Sequence, residues 1–146
     1  MKRIVFVGGL IDRKNLSTFI KKSTCSSSLA QENYFLRIID SFSLKGYSTY
    51  SISSPFLGKY GKQTFLKYNN CFENLDGFYY GKCPTPRFQR LLKLKKSLIE
   101  AFSTLKKAEN ISYDDEIYFF VIQPNYFYLK VAFELSKKYK KSKVIL

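Results

Sequence analysis

The stretch RIVFVGGL, residues 3–10, runs four apolar residues (Ile4, Val5, Phe6, Val7) into Gly8-Gly9. Glycines at the end of a buried strand let backbone N–H groups approach a phosphate or a sugar with no Cβ in the way. No third glycine completes G-x-G-x-x-G, and the next helix signal lies well downstream at Ser28, so a dinucleotide site is not expected. Ser53-Ser54-Pro55 and Gln123-Pro124-Asn125 end two further strand-like runs. In an open α/β sheet such segments gather at the carboxyl edge of the strands, where ligands bind. The expected substrate-binding set is therefore Gly8, Gly9, Leu10, Arg13, Ser53, Ser54, Pro55, Gln123 and Asn125, with the two glycines exposed at that edge. No catalytic residue is assigned by motif; Asp12, the acidic residue of the first loop, is a candidate base.

Composition narrows the chemistry. The chain of 146 residues contains no His, which removes the commonest general base, the commonest neutral metal ligand and every Ser-His or Cys-His nucleophile pair. Its three cysteines (Cys25, Cys71, Cys83) form no C-x-x-C, so no metal site is expected. The formal net charge is +14, which attracts phosphate-bearing ligands, nucleic acid or an anionic membrane leaflet. A genome-wide bias toward Lys codons gives the same surplus, and composition alone does not separate the two. Asp12, Arg13 and Lys14 cut the first apolar run short, so no signal peptide is expected, and no run reaches membrane-spanning length. A cytoplasmic chain with reduced thiols is the expectation, with peripheral attachment to the inner face of the membrane open to it.

The elements that must position these residues alternate between strand and helix, the pattern of an α/β fold with a mainly parallel sheet. Arg3 to Val7 reads as the first strand, followed by a long polar loop from Leu10 to Ser27. Ser28-Leu29-Ala30-Gln31 fits a capping box, and Phe35, Ile38, Ile39 and Phe42 repeat at helical spacing up to Gly46, a C′ glycine. Tyr47 to Ser53 is the second strand. Residues 54–84 are punctuated by Gly58, Gly61, Asn69-Asn70 and Asp76-Gly77, with a short strand at Phe78-Tyr79-Tyr80. Thr85-Pro86 opens the longest helix, Arg87 to Lys107, whose buried stripe is Leu91, Leu94, Leu98, Ala101 and Leu105, with Phe88 and Phe102 in support. Ile117 to Ile122 is a continuous apolar strand. A helix then runs through Tyr139, and Lys143 to Leu146 begins another strand that stops short, so a fragment of a longer chain is expected.

Two surfaces add candidate interactions. The outer face of the longest helix carries Arg90, Lys93, Lys96 and Lys107, which suits an anionic membrane surface or plain solvation. The aromatic segment 56–80 suits core packing or a lipid- or sugar-cradling role. A basic nucleic-acid-binding module is the alternative from another class, but no recognised motif appears and the basic residues are spread over both halves.

In this order the chain resembles the N-terminal domain of the glycosyltransferase family 4-like group, which has the GT-B fold. The resemblance rests on RIVFVGGL, on ENYFLRIIDSFSLKGYSTYSISSPF and on EIYFFVIQPNYFYLKVAFELSKKYKKSKVIL, and spans nearly the whole chain. It implies a Rossmann-like three-layer sandwich, one half of a GT-B enzyme, as a single domain over residues 1–146. The partner half would bind a nucleotide-sugar donor, and this half a glycan or lipid-linked acceptor in bacterial surface-polysaccharide synthesis. No cofactor is implied in this half, which alone should be inactive. A natural subunit of a split GT-B enzyme is a further alternative.

Overall fold

The computed structural model describes residues 2–22, 29–54, 72–81, 90–123 and 125–146, the side chains of 18–22, 29 and 90–93 excepted. Its elements in chain order are β1 (Lys2–Gly8), α1 (Arg13–Lys22), α2 (Leu29–Leu44), β2 (Ser48–Ser53), β3 (Phe78–Tyr80), α3 (Arg90–Ala108), β4 (Glu116–Val121), α4 (Tyr126–Ser136) and β5 (Lys141–Ile145). Among the described residues the strands form one sheet in the order β3-β2-β1-β4-β5, and every pair is parallel. β1 is the middle strand: Val5 lies opposite Tyr50 on one side and Phe119 on the other.

Alternation along β1 splits the core in two. Val5 and Val7 point to the side covered by α3 and α4, where Leu98, Leu105, Phe119 and Val131 are fully buried. Ile4 and Phe6 point the other way, toward Leu36 and Ile39 of α2. Phe6, Phe42 and Phe120 meet there as tilted rings with centroids 5.3 to 6.4 Å apart. The result is a Rossmann-like three-layer sandwich, as the alternating periodicity predicts. The two helix layers follow from this strand order: right-handed crossovers that first run one way and then the other place their helices on opposite faces.

The end of α2 is specified locally. Gly46 has φ +82°, and its N–H donates to Ser43 O at 2.9 Å while Tyr47 N–H reaches back to Phe42 O at 3.2 Å. That pair of bonds closes a Schellman cap, and the Phe42 and Tyr47 rings supply its apolar contact at 6.0 Å. The stripe expected on the longest helix is present as buried Leu94, Leu98, Ala101 and Leu105, the Leu91 side chain lying outside the described ones. At the amino edge of the sheet, Glu109 beyond α3 accepts from Tyr50 Oη at 3.0 Å and Tyr79 Oη at 2.9 Å. Arg3 Nη1 donates to Glu109 O at 3.1 Å, and its Nε lies 3.1 Å from Asp115 Oδ2. Burial and then this carboxylate push the Tyr79 hydroxyl up to about 12, so it stays protonated and donates.

The long polar loop expected from Leu10 to Ser27 is corrected: α1 occupies Arg13–Lys22. The cause is Asp12, whose Oδ1 accepts from Lys14 N at 2.9 Å and Asn15 N at 3.0 Å and so caps the helix. Leu16 is 4% exposed beside Ile11. In the sequence Leu16, Phe19 and Ile20 stand at i, i+3 and i+4, a brief helical spacing set among polar residues that read as loop. Boundaries elsewhere shift by a few residues: β4 begins at Glu116, α4 ends at Ser136 and β5 begins at Lys141. The capping residues Ser28 and Thr85-Pro86, together with Phe88, Cys25, Cys71 and Cys83, lie outside the described residues, as do Gly58, Gly61 and Asn69-Asn70.

Candidate functional site at the carboxyl edge

The strand order reverses between β1 and β4, and the carboxyl ends of these two strands form the crevice where open α/β sheets hold ligands. Gly8 ends β1 there, and Ile122 N–H continues the pairing to Val7 O at 3.3 Å. Gln123 follows, half-buried, and Asn125 is exposed. Asn125 has extended backbone and caps α4, its Oδ1 accepting from Phe127 N at 2.9 Å. The fold thus brings Gly8-Gly9 and the Gln123–Asn125 turn to one crevice. Pro124 lies outside the described residues.

The expectation that both glycines are exposed is corrected. Gly8 is buried and Gly9 half-buried, and the residues that follow are buried as well, Leu10, Ile11 and Asp12 each 5% exposed or less. Gly8 O accepts from Ser54 N at 3.0 Å, which draws β2's exit against β1. A Cβ built on Gly8 would meet Ile122 Cβ at 3.5 Å, an ordinary contact. Gly8→Ala is therefore expected to change stability by less than ~1 kcal/mol, measured by chemical denaturation. The fold does not require this glycine.

The other expected residues separate from the crevice. Leu10 is core, 2% exposed, in the cluster with Phe6 and Leu36. Ser53 and Ser54 are buried; among the described residues the Ser53 hydroxyl has no hydrogen-bond partner, and Ser54 Oγ lies 3.1 Å from Ser97 Oγ of α3. Tyr128 of α4 reaches Ser54 O at 3.5 Å, and burial, with the charge of Glu32 adding to it, pushes its hydroxyl up to about 12. Pro55 lies outside the described residues. Among the expected set, Gly9, Gln123 and Asn125 remain as accessible groups at the crevice.

Asp12 and Arg13 line a second concavity instead, a cleft of ≈ 360 Å³ between α1, α2, β2 and the turn before β3. Arg13 pairs with Asp40 across it at 2.6 Å. The second oxygen of Asp12 accepts from Asn15 Nδ2 at 2.5 Å and from Tyr80 Oη at 2.6 Å, and Tyr80 Oη in turn accepts from Asp12 N at 2.7 Å. Burial and the hydrogen bond to this carboxylate raise the Tyr80 hydroxyl far above the ordinary tyrosine value. With both oxygens engaged, Asp12 serves as a cap and has no lone pair aimed at a substrate.

Sequence reasoning overlooked Glu32, in the first turn of α2. Its Oε2 accepts from Ile11 N at 3.4 Å, and burial raises its carboxyl above the ordinary value, the backbone hydrogen bond opposing part of that. The signal available was an acidic residue in the first turn of the helix that the Ser28 capping box announces. Its proton affinity is higher folded than unfolded, so the folded chain holds more protons between the two values. Stability then falls as pH rises through that interval. Glu32→Gln should remove this slope. The variant is expected to be more stable than its parent near neutral pH and equal to it below the unfolded carboxylate range, in denaturant titrations run at a series of pH values.

Among the described residues no three Cys, Asp or Glu side chains gather as a metal site would require, and no helix is long and apolar enough to cross a membrane. Fold and crevice define an open, doubly wound α/β domain of Rossmann-like type. No family model matches the chain, and neither the curated proteins nor the solved structures yield a match.

Proposed function

We propose that the chain is the acceptor-side domain of a GT-B glycosyltransferase, which moves a sugar from a nucleotide-sugar donor to a glycan or lipid-linked acceptor in bacterial surface-polysaccharide synthesis. The observation that favours this reading over a dinucleotide-binding one is the occupied start of α1. In a dinucleotide fold that position receives the pyrophosphate. Here the carboxylate of Asp12 already takes the N–H groups of Lys14 and Asn15, and its charge repels phosphate. The crevice keeps Gly9, Gln123 and Asn125 as uncharged groups suited to hydroxyls, and the nucleotide would be held by a facing domain. In this reading the domain supplies acceptor contacts, while Arg13, held by Asp40, faces the neighbouring cleft.

The test is transfer of labelled sugar from a panel of nucleotide sugars to organic-extractable lipid or to oligosaccharide, using the full-length gene product. Transfer that weakens in Gln123→Ala, with an unchanged unfolding midpoint, supports the proposal. Absence of transfer from every donor, or a coding sequence that carries no second α/β unit after Leu146 and no partner gene supplying one, overturns it.

A further inference from the structure

α4 carries two faces of opposite character. Tyr128, Val131, Ala132 and Leu135 are buried against the sheet. Tyr126, Lys130, Phe133 and Lys137 follow at i, i+4, i+7 and i+11, one straight line on the opposite side of the helix. All four are exposed, Tyr126 at 65% and Phe133 at 51%. A neighbouring helix of the same layer would cover the flanks of α4, as α3 does through the Lys95–Glu134 pair at 2.7 Å, and would leave this crest open. The aromatic exposure is therefore a property of the crest itself.

The crest does not stand alone. α3 lies in the same layer and exposes Lys96 and Lys107, with Glu100 between them. Among the described side chains, the exposed charges on the outer plane of the two helices are four lysines and one glutamate, with the half-buried Lys95–Glu134 pair between the helices and the aromatic rings on α4. Lys130 Nζ already sits 5.8 Å from the Tyr126 ring, its stem alongside the apolar surface.

We propose that this α3–α4 plane docks on an anionic phospholipid surface, with Tyr126 and Phe133 entering the interfacial layer and Lys130, Lys137, Lys96 and Lys107 facing the headgroups. A lone aromatic on a soluble surface is ordinary, but two aligned with lysines and no acidic residue on the same crest form the pattern of an interfacial helix. A nucleic-acid groove is less well matched, because Tyr126 and Phe133 lie about 10 Å apart along the helix, further than stacked bases. The proposal stands apart from the transferase reading, since it rests on the surface and not on the crevice. It also moves the emphasis of the membrane-facing expectation from α3 toward α4: Lys96 and Lys107 flank the plane, while the side chains of Arg90 and Lys93 lie outside the described ones.

The chain contains no Trp, so Phe133→Trp places a single fluorescent reporter on the crest. The expected result is a blue shift of its emission on adding vesicles of phosphatidylcholine mixed with phosphatidylglycerol, and none with vesicles of phosphatidylcholine alone. In sedimentation with the mixed vesicles, Lys130→Gln/Lys137→Gln is expected to bind roughly 25-fold more weakly, about fivefold per lysine. Phe133→Ser should weaken binding several-fold with unchanged circular dichroism. Equal binding to neutral and anionic vesicles, no binding to either, or binding to duplex DNA or polyglutamate without any vesicle-induced blue shift would overturn the proposal.

Discussion

Gly81→Ala is expected to lower the unfolding midpoint by about 10 °C or to abolish folding, because the approach there is the tightest that an added methyl group would meet at any of the described glycines. Gly81 follows β3, is buried, and donates to Ser53 O at 2.9 Å, which fixes how closely this exit approaches α3. A Cβ at this position would lie 2.1 Å from Ser97 O and 2.5 Å from Ser97 C. Those atoms are helix backbone and cannot rotate aside as a side-chain tip would. Either β3 leaves Ser53 or α3 leaves the sheet, and both moves open the core around Leu94 and Leu98. The comparison with Gly8→Ala makes the test sharp. One glycine is required by contact and the other is not, so paired thermal melts should show a large and a near-zero shift. Similar shifts would show that α3 does not press on Gly81.

Asp12→Ala is the second large effect, an expected loss of about 3 kcal/mol in chemical denaturation. The loss combines an N-cap, worth roughly 1–2 kcal/mol, with a buried tyrosine hydroxyl left without its acceptor, roughly 1–3 kcal/mol. Asp12→Asn separates the possible roles. Asparagine keeps an acceptor for the amides of Lys14 and Asn15, but its amide group turns a donor toward Asn15 Nδ2 or Tyr80 Oη, both of which donate to Asp12 now. A cap therefore predicts a clear loss of stability in both variants, with Tyr80→Phe costing less than either. The double substitution Asp12→Ala/Tyr80→Phe should cost less than the sum, because the orphaned hydroxyl is gone. A chain with Asp12→Asn that is as stable as its parent but inactive would instead restore Asp12 as a reacting group.

The large features were legible because each rests on a periodicity. The stripe Leu94, Leu98, Ala101 and Leu105 states where α3 packs, and Phe42, Gly46 and Tyr47 state where α2 stops. The apolar run from Ile117 marks an interior strand. The strand order itself was not legible beyond its class, since nothing local distinguishes a strand beside β1 from one beside β4. α1 was missed because its helical spacing, Leu16, Phe19 and Ile20, is brief and set among polar residues, and its start is specified by the Asp12 cap. The candidate site was legible in part. The crevice residues were located from strand ends, which sequence shows well. Whether Leu10, Ser53 and Ser54 face ligand or core depends on how the chain doubles back after β1, which is a tertiary matter. Glu32 was invisible because its raised proton affinity comes from burial in the folded chain, not from its neighbours in sequence.

The central position of β1 carries a consequence for biosynthesis. Its first neighbour, β2, is complete at Ser53, but its second, β4, is complete only at Val121, so ~70 residues must be added in the interval. At ribosomal rates of about 5–20 residues per second, one edge of Ile4-Val5-Phe6-Val7 goes unpaired for several seconds. A buried apolar strand is thus made well before its second partner. Nascent-chain capture by a holdase chaperone should therefore peak in arrested chains ending between β2 and β4, and fall once Val121 has emerged.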